Sequence, residues 1–345
     1  MKNIVLIASL LLLFGCNGGT NDSKLKKYPD NIEFGSQGGT EQFTICIPEG
    51  YELIIPKDCT WVEVDYIQED GDSTAWLTLI ISENDRLSPR ETTVTIRPKG
   101  LIGIGDIIKG RGGLSKRIKI KQQGVMIENI CDLNMRMIFV KGGTFTMGTP
   151  GSNEEHLVTL DSFYIGETEI TQAQWRAVMG SNPSEFVGDS HPVDHISWAD
   201  AQAFCQKLSQ LTGKRYTLPT EAQWEYAARG GDKSKGYKYS GSNNIDEVAK
   251  YGSISDGHLN VKSLKPNELG IYDMSGNVWE WCSDWYGSIG SWPETNPRGP
   301  HSGTKRVVRG GSWSRDAGGC TVTYRGVNTP QHRGSSYGLR VVCLP

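Results

Sequence analysis

The chain has 345 residues, room for two domains, and its 37% hydrophobic and 22% charged residues can build packed cores, which excludes a disordered tail. Lysine and arginine number 36 against 39 acidic residues, and the net charge of −3 argues against a nucleic-acid partner, since a phosphate backbone needs a basic face. The 42 glycines and 10 tryptophans, eight of the latter beyond residue 134, point to a loop-rich second half.

The first segment reads as a targeting device. Lys2 precedes an apolar run from Ile4 to Phe14, too short to cross a bilayer about 30 Å thick as a helix. The run ends in Leu13-Phe14-Gly15-Cys16, and a small residue directly before a cysteine resembles a bacterial lipoprotein cleavage site. That resemblance implies a signal peptide over 1–15, lipid on Cys16, a polar tether over 16–27 and a cell-envelope location, held to the membrane by acyl chains. The alternative is an ordinary secretory signal with an incidental cysteine.

Seven cysteines remain: Cys46, Cys59, Cys131, Cys205, Cys282, Cys320 and Cys343. An exported chain sits where disulfides persist, and the odd number leaves a free thiol or an intermolecular bridge. No CxxC pair suggests zinc. His191 and His195 have a ligand-like spacing, but Pro192 between them makes this a loop pair with a structural role.

From 28 to 124 the pattern is β. Strands are expected at Glu41–Ile47, Trp61–Asp65, Ala75–Ile81, Glu91–Ile96 and Arg117–Lys121, punctuated by Gly38-Gly39, Pro48, Pro56, Gly71 and Pro89. Gly100 to Gly113 reads as a long hairpin excursion, and the whole as a small β-sandwich, which the resemblance that follows implies to be immunoglobulin-like. The features Phe34-Gly-Ser-Gln-Gly-Gly-Thr40, Thr60-Trp61, Asn84, Pro89-Arg90 and Ile118-Lys-Ile-Lys-Gln122 resemble the BACON domain. That resemblance implies a carbohydrate- or mucin-adhering module or a spacer. No stacked aromatic platform is legible in it.

Residues 125–133 read as a linker holding Cys131, and 134–345 as the second domain. Its helices carry their own start signals. Thr171 opens Gln172–Met179, Ser197 with Asp200 opens Trp198–Leu211, and Thr220 with Gln223 opens Glu221–Arg229. Gly213 and Gly230-Gly231 stop the last two. Beyond Gly231 only short strands and loops are expected.

Five blocks of this half are specific. They are Gly142-Gly-Thr-Phe-Thr-Met-Gly148, Phe163-Tyr-Ile-Gly-Glu-Thr-Glu-Ile-Thr-Gln-Ala-Gln-Trp175, Tyr216-Thr-Leu-Pro-Thr-Glu-Ala-Gln-Trp-Glu-Tyr-Ala-Ala-Arg-Gly230, Asn267-Glu-Leu-Gly-Ile-Tyr-Asp-Met-Ser-Gly-Asn-Val-Trp-Glu-Trp281, and Arg306-Val-Val-Arg-Gly-Gly-Ser-Trp313 with Gly338-Leu-Arg340. In this order they resemble the formylglycine-generating enzyme family, the sulfatase-modifying factors, over 134–345. The resemblance implies an α+β fold of C-type-lectin-like kind, with few helices and much irregular chain.

The same resemblance implies site residues. Calcium-binding members use side chains matching Asp273 and Glu280 and carbonyls matching Gly276 and Val278, a mixed set of hard oxygens that suits calcium; the other reading of this segment is a metal-free Asx turn. A second calcium site has no counterpart before Val261. Enzymes of the family oxidise a substrate cysteine to formylglycine with oxygen and copper held by two thiolates. Here the second thiolate falls on Cys320, but the first falls on Arg315, a fixed cation without a lone pair, so copper is not expected. The oxygen-pocket Ser and Trp match Ser312 and Trp279, while a later Asn position reads Ser336. The family's disulfide implies Cys205–Cys343 as a candidate pair; apart from the resemblance, Cys282 is a candidate partner for Cys320, which is otherwise a buried or lone redox thiol.

Two functions follow. One is a non-catalytic envelope lipoprotein that binds a protein or glycan, with no nucleic-acid partner. The alternative is a formylglycine-generating oxidase or a divergent oxidase of that scaffold.

Overall fold

The structure is a computed structural model that describes residues 31–34, 41–48, 51–59, 62–68, 74–81, 90–98, 116–122, 126–130 and 133–344, the last without 154 and 289–291. Cys16, the segments 1–15 and 16–27, the Gly100–Gly113 excursion and Cys131 lie outside the described residues. The chain divides into two units, Met1–Val125 and Met126–Pro345. Among the described residues no helix is long and apolar enough to cross a membrane.

Alternating β-branched and aromatic residues make the first unit's described segments strands. Four of them, in the order Asn31–Phe34, Lys116–Gln122, Arg90–Pro98 and Tyr51–Ile54, form one sheet. A second sheet runs Glu41–Pro48, Thr74–Ile81, Val62–Gln68. The five strands read from the sequence are all present, with ends shifted by at most three residues.

In the second unit, capping decides where helices begin. The helices α1 (Gln172–Met179), α2 (Trp198–Thr212) and α3 (Glu221–Ala228) each start behind a complete capping box. In each, the Thr171, Ser197 or Thr220 hydroxyl accepts the N3 backbone N–H, while the N3 side chain accepts from the cap residue. Gly180 and Gly213 end α1 and α2 in the left-handed region, where a Cβ would be strained. Beyond Gly231 the only helical turns among the described residues are three short 3-10 segments, Gly231–Lys233, Ile245–Glu247 and Ala317–Cys320.

The expected linker is corrected. Met126–Ile130 is a strand paired antiparallel with Leu133–Val140, at the edge of a five-stranded sheet completed by Phe163–Gly166, Val342–Cys343 and Tyr216–Thr217. Met126 and Met137 are cross-strand partners, so this stretch is part of the second unit's own sheet. A four-stranded sheet, Gly326–Asn328, Arg306–Arg309, Trp279–Trp285, Tyr337–Gly338, carries the blocks of the C-terminal half.

Two large apolar clusters and a smaller one lie among the described residues of the unit. One gathers Trp175, Phe204, Leu208, Trp279 and Trp281, with the Trp175 and Phe204 rings stacked at 5.2 Å. The other gathers Phe163, Ile165, Trp224, Met274 and Cys282. Trp224 and Trp281 are fully buried. Each such indole withdraws more apolar area than any aliphatic side chain, which lets so little regular structure hold a core.

Candidate functional site

The expected active-site residues meet where the strand Arg306–Arg309 runs into Gly310 and Gly311. Both glycines have left-handed φ, at 91° and 79°. A Cβ on Gly311 would sit 2.5 Å from the Cys320 sulfur. Only glycine permits this approach of backbone to thiol. The turn then points Ser312 inward and Arg315 outward. Ser312 is fully buried, and its carbonyl accepts the Arg315 N–H at 3.0 Å and the Cys320 thiol at 4.0 Å.

Cys320 ends the 3-10 turn that Asp316 caps through the Gly319 N–H. Its side chain is fully buried among Tyr239, Ile245, Val248 and Ala249. Burial, above all, pushes the thiol up to about 11, with smaller opposing contributions from neighbouring groups. A thiol held in this way stays protonated and is a poor nucleophile and a poor metal ligand. Cys282 lies in a different apolar cluster and is likewise pushed up by burial.

Arg315 is exposed. Its Nη2 donates to the Tyr324 hydroxyl at 3.2 Å and its guanidinium lies 5.8 Å from that ring's centre. The Tyr324 ring in turn lies 6.0 Å from the Trp279 ring. Trp279, Ser312, Arg315 and Cys320 are thus brought to one region, and the copper pair of the resemblance does not fit it. One sulfur is sealed in an apolar cluster, and a guanidinium occupies the other place.

Cys205, Cys282, Cys320 and Cys343 are all buried. Cys205 and Cys343, expected as a pair, share one apolar cluster. Cys282 and Cys320 sit in separate clusters, so their side chains do not meet.

The expected calcium segment is a tight turn. Asp273, Gly276 and Asn277 have φ of 61°, 78° and 57°. A Cβ on Gly276 would fall 2.2 Å from the Lys250 carbonyl oxygen, so glycine is required there. Asp273 accepts the Lys262 N–H at 2.8 Å. Glu280 is fully buried; its oxygens accept Arg340 Nε and Nη2 and, at 2.7 Å, the Trp224 indole N–H. Glu280, expected as a calcium donor, is thus already engaged by Arg340 and Trp224. The sequence reading gave no role to Glu169, although it lies within the Phe163–Trp175 block. It accepts Asn277 Nδ2 at 2.6 Å and the Val278 N–H at 3.1 Å.

Three buried carboxylates, Glu169, Asp273 and Glu280, therefore face one guanidinium, Arg340. Burial, then Asp273 and Glu280, push Glu169 well up; burial first pushes Asp273 up to about 6. This uncompensated negative charge and the hard oxygen donors suit a divalent cation. Asp273 with the Gly276 and Val278 carbonyls would hold it, and Glu280 would contribute charge. Among the described residues no three His, Cys, Asp or Glu side chains converge as a ligand set.

A second buried network also escaped the sequence reading. Arg309 pairs with Glu225 and donates to the Tyr324 carbonyl, Arg325 grips Glu221 through Nε and Nη2 at 2.7 and 2.9 Å, and Arg229 pairs with Glu225. Asp284 receives the Glu221 N–H at the start of α3. Burial and then the Glu221 charge push Asp284 up to about 7. The acidic and basic residues of the sequence blocks are, in the main, partners of one another.

Comparison with known proteins matches this geometry to a family. Residues 123–344 match the model described as a sulfatase-modifying factor enzyme 1-like domain. The chain is 36% identical over 257 residues to Chaperone protein LppX of Paenibacillus barcinonensis, covering 60% of this chain and 88% of that protein. It is 38% identical to the formylglycine-generating enzyme of Streptomyces coelicolor, covering 50% of this chain and 58% of that protein, and 37% identical to the mouse enzyme, covering 49% of it. The chain thus spans about half the length of the formylglycine-generating enzymes it matches. Among solved structures, Treponema denticola variable protein 1 superposes with a TM-score of 0.61 at 33% identity, covering 64% of this chain and 99% of that one. PvdO from Pseudomonas aeruginosa does so at 0.54 and 25%, covering 64% of this chain and 98% of its own. The chain belongs to the sulfatase-modifying factor enzyme 1-like family.

Proposed function

We propose that this protein is a lipid-anchored envelope protein whose family domain binds a protein or glycan and does not make formylglycine. One observation carries the reading. The sole thiol at the family's copper position, Cys320, is protonated and packed in an apolar cluster, while the exposed Arg315 takes the place of its partner. Exposed Tyr324, with Arg315 against its face and Trp279 behind it, is the surface left for a ligand. Aromatic faces and a guanidinium recognise ligands without altering them. Calcium at the Asp273 turn belongs to this reading as a structural ion, supplying the positive charge that the carboxylates lack. The immunoglobulin-like first domain and the acyl chains on Cys16 would hold the family domain at the membrane surface.

The test is direct. The purified protein is mixed with a Cys-x-Pro-x-Arg peptide, copper and oxygen, and aldehyde is assayed. No aldehyde is expected, with or without Arg315→Cys. Aldehyde from the unmodified chain overturns the reading. Palmitate labelling that is lost on Cys16→Ser tests the anchor, and a melting temperature raised by calcium over a chelator tests the ion.

A further inference from the structure

His191 does not pair with His195, its partner in spacing. It faces His258, 67 positions along the chain, with the two Nδ1 atoms 2.9 Å apart. The other nitrogen of His258, Nε2, lies 2.8 Å from Asp194 Oδ2. The side chains of His258 and Asp194 are both fully buried, while His191 is half-buried. Asp194 also accepts the Glu185 and Phe186 N–H groups at 2.9 and 3.4 Å. Phe186 packs edge-on against both His258 and Trp313, at 5.4 and 5.5 Å.

The imidazole ring centres are 5.0 Å apart. With the facing nitrogens at 2.9 Å, those nitrogens lie close to the line joining the rings. That is the alignment of one N–H···N hydrogen bond. Two ligands of a tetrahedral ion would converge at an angle instead. So one proton lies between the rings, and Asp194 fixes which nitrogen of His258 donates.

The chain ties two segments together. Asp194 and His191 belong to the stretch between α1 and α2, and His258 belongs to 252–262. The Val261 N–H adds a bond to the Ser190 carbonyl, at 3.0 Å. We propose that Asp194, His258 and His191 form an acid-released latch, which clasps these two segments while a single proton lies between the rings and opens when both rings are protonated.

The proton count gives the reason. With both rings neutral, His258 donates to Asp194 and accepts from His191. One added proton keeps a donor facing an acceptor, and the Asp194 carboxylate balances its charge. A second added proton places two N–H groups and two cations face to face, with one carboxylate between them. Among the described residues the neighbouring charged groups are engaged elsewhere or face solvent. Asp189 is engaged by Arg176, Asp256 by Lys250, and Lys262 by Glu167. Glu185 points to solvent, and His195 is the loop's other ring, its backbone bonded to the Gly334 carbonyl. Burial first, then His258, hold His191 below the usual imidazole range, so opening belongs to acid conditions.

The released segment carries Ile254, which is almost wholly exposed, and its Gly252 and Ser253 N–H groups bind the Arg315 and Trp313 carbonyls. A weaker grip at the Arg315 surface in acid is a consequence that rests on the binding reading above. The latch itself does not depend on that reading.

Hydrogen exchange on the full-length chain tests it, followed by mass spectrometry from about pH 7.5 to about pH 4.5 and corrected for intrinsic rates. Peptides from 180–197 and 252–262 are expected to lose protection by about tenfold or more in one step, while α2 and α3 keep theirs. His191→Gln, which can still hydrogen-bond but cannot titrate, should abolish the step and keep protection at neutral pH. No local step in the unmodified chain, or the same step in His191→Gln, overturns the proposal. If that variant does not fold, imidazole NMR of the unmodified chain decides. Two coupled titrations support the latch, and two independent ones at ordinary histidine values refute it.

Discussion

Arg340→Met tests the buried charge balance that underlies the family turn. Arg340 is fully buried and donates through Nε and Nη2 to Glu280, through Nη1 to the Gly166 carbonyl at 2.8 Å, and through Nη2 to the Tyr272 carbonyl at 2.8 Å. Methionine fills much of the same volume but leaves Glu280 and Glu169 without their cation and Asp273 with Lys262 alone. Breaking a buried pair by removing one partner costs about 3–5 kcal/mol. For a domain of this size each kcal/mol moves the melting temperature by about 2–4 °C, so a fall of about 6–20 °C is expected. Calorimetry or circular dichroism on the unmodified chain, Arg340→Met, Glu280→Gln and the double variant measures it. The double variant should recover part of the loss, with a coupling of about 1–3 kcal/mol, because it removes the stranded charge as well. A loss below about 1 kcal/mol for Arg340→Met, or strict additivity in the double variant, refutes the reasoning.

Three further outcomes follow from the same geometry. At about pH 8, Cys320 should react with a thiol reagent about a thousandfold more slowly in the folded protein than its thiolate would, because a thiol held near 11 is so rarely ionised; fast labelling of the native chain contradicts the apolar burial. Asp284 binds a proton in the folded state, up to about 7, that the unfolded chain releases near 3.8. Its contribution to stability is therefore present at low pH and lost as pH rises through that window, and Asp284→Asn should flatten this fall in urea melts taken at several pH values. Gly311→Ala combines a left-handed φ of 79° with a Cβ 2.5 Å from the Cys320 sulfur, so it should cost about 2 kcal/mol or more in chemical denaturation; a neutral effect means the turn is not as described.

Local chemistry made much of the fold legible. Thr171, Ser197 and Thr220, each with an acceptor three residues on, mark the three helices because a cap and its N3 partner are neighbours in sequence. Alternation marks the first unit's strands for the same reason, since the period of a strand is visible within a few residues. What sequence could not supply was the pairing of charges and rings across long separations. Arg340 meets Glu280 60 positions away and Gly166 174 away. The histidine spacing pointed His191 toward His195, and the fold gave it to His258. Cys282 and Cys320, candidate partners in the sequence, are buried in separate clusters, which only the whole chain decides. Sequence by itself determined the helix starts and the family blocks, all set by adjacent residues. Only the tertiary structure decided which buried charges neutralise one another, since that depends on which distant segments the core brings within hydrogen-bond reach.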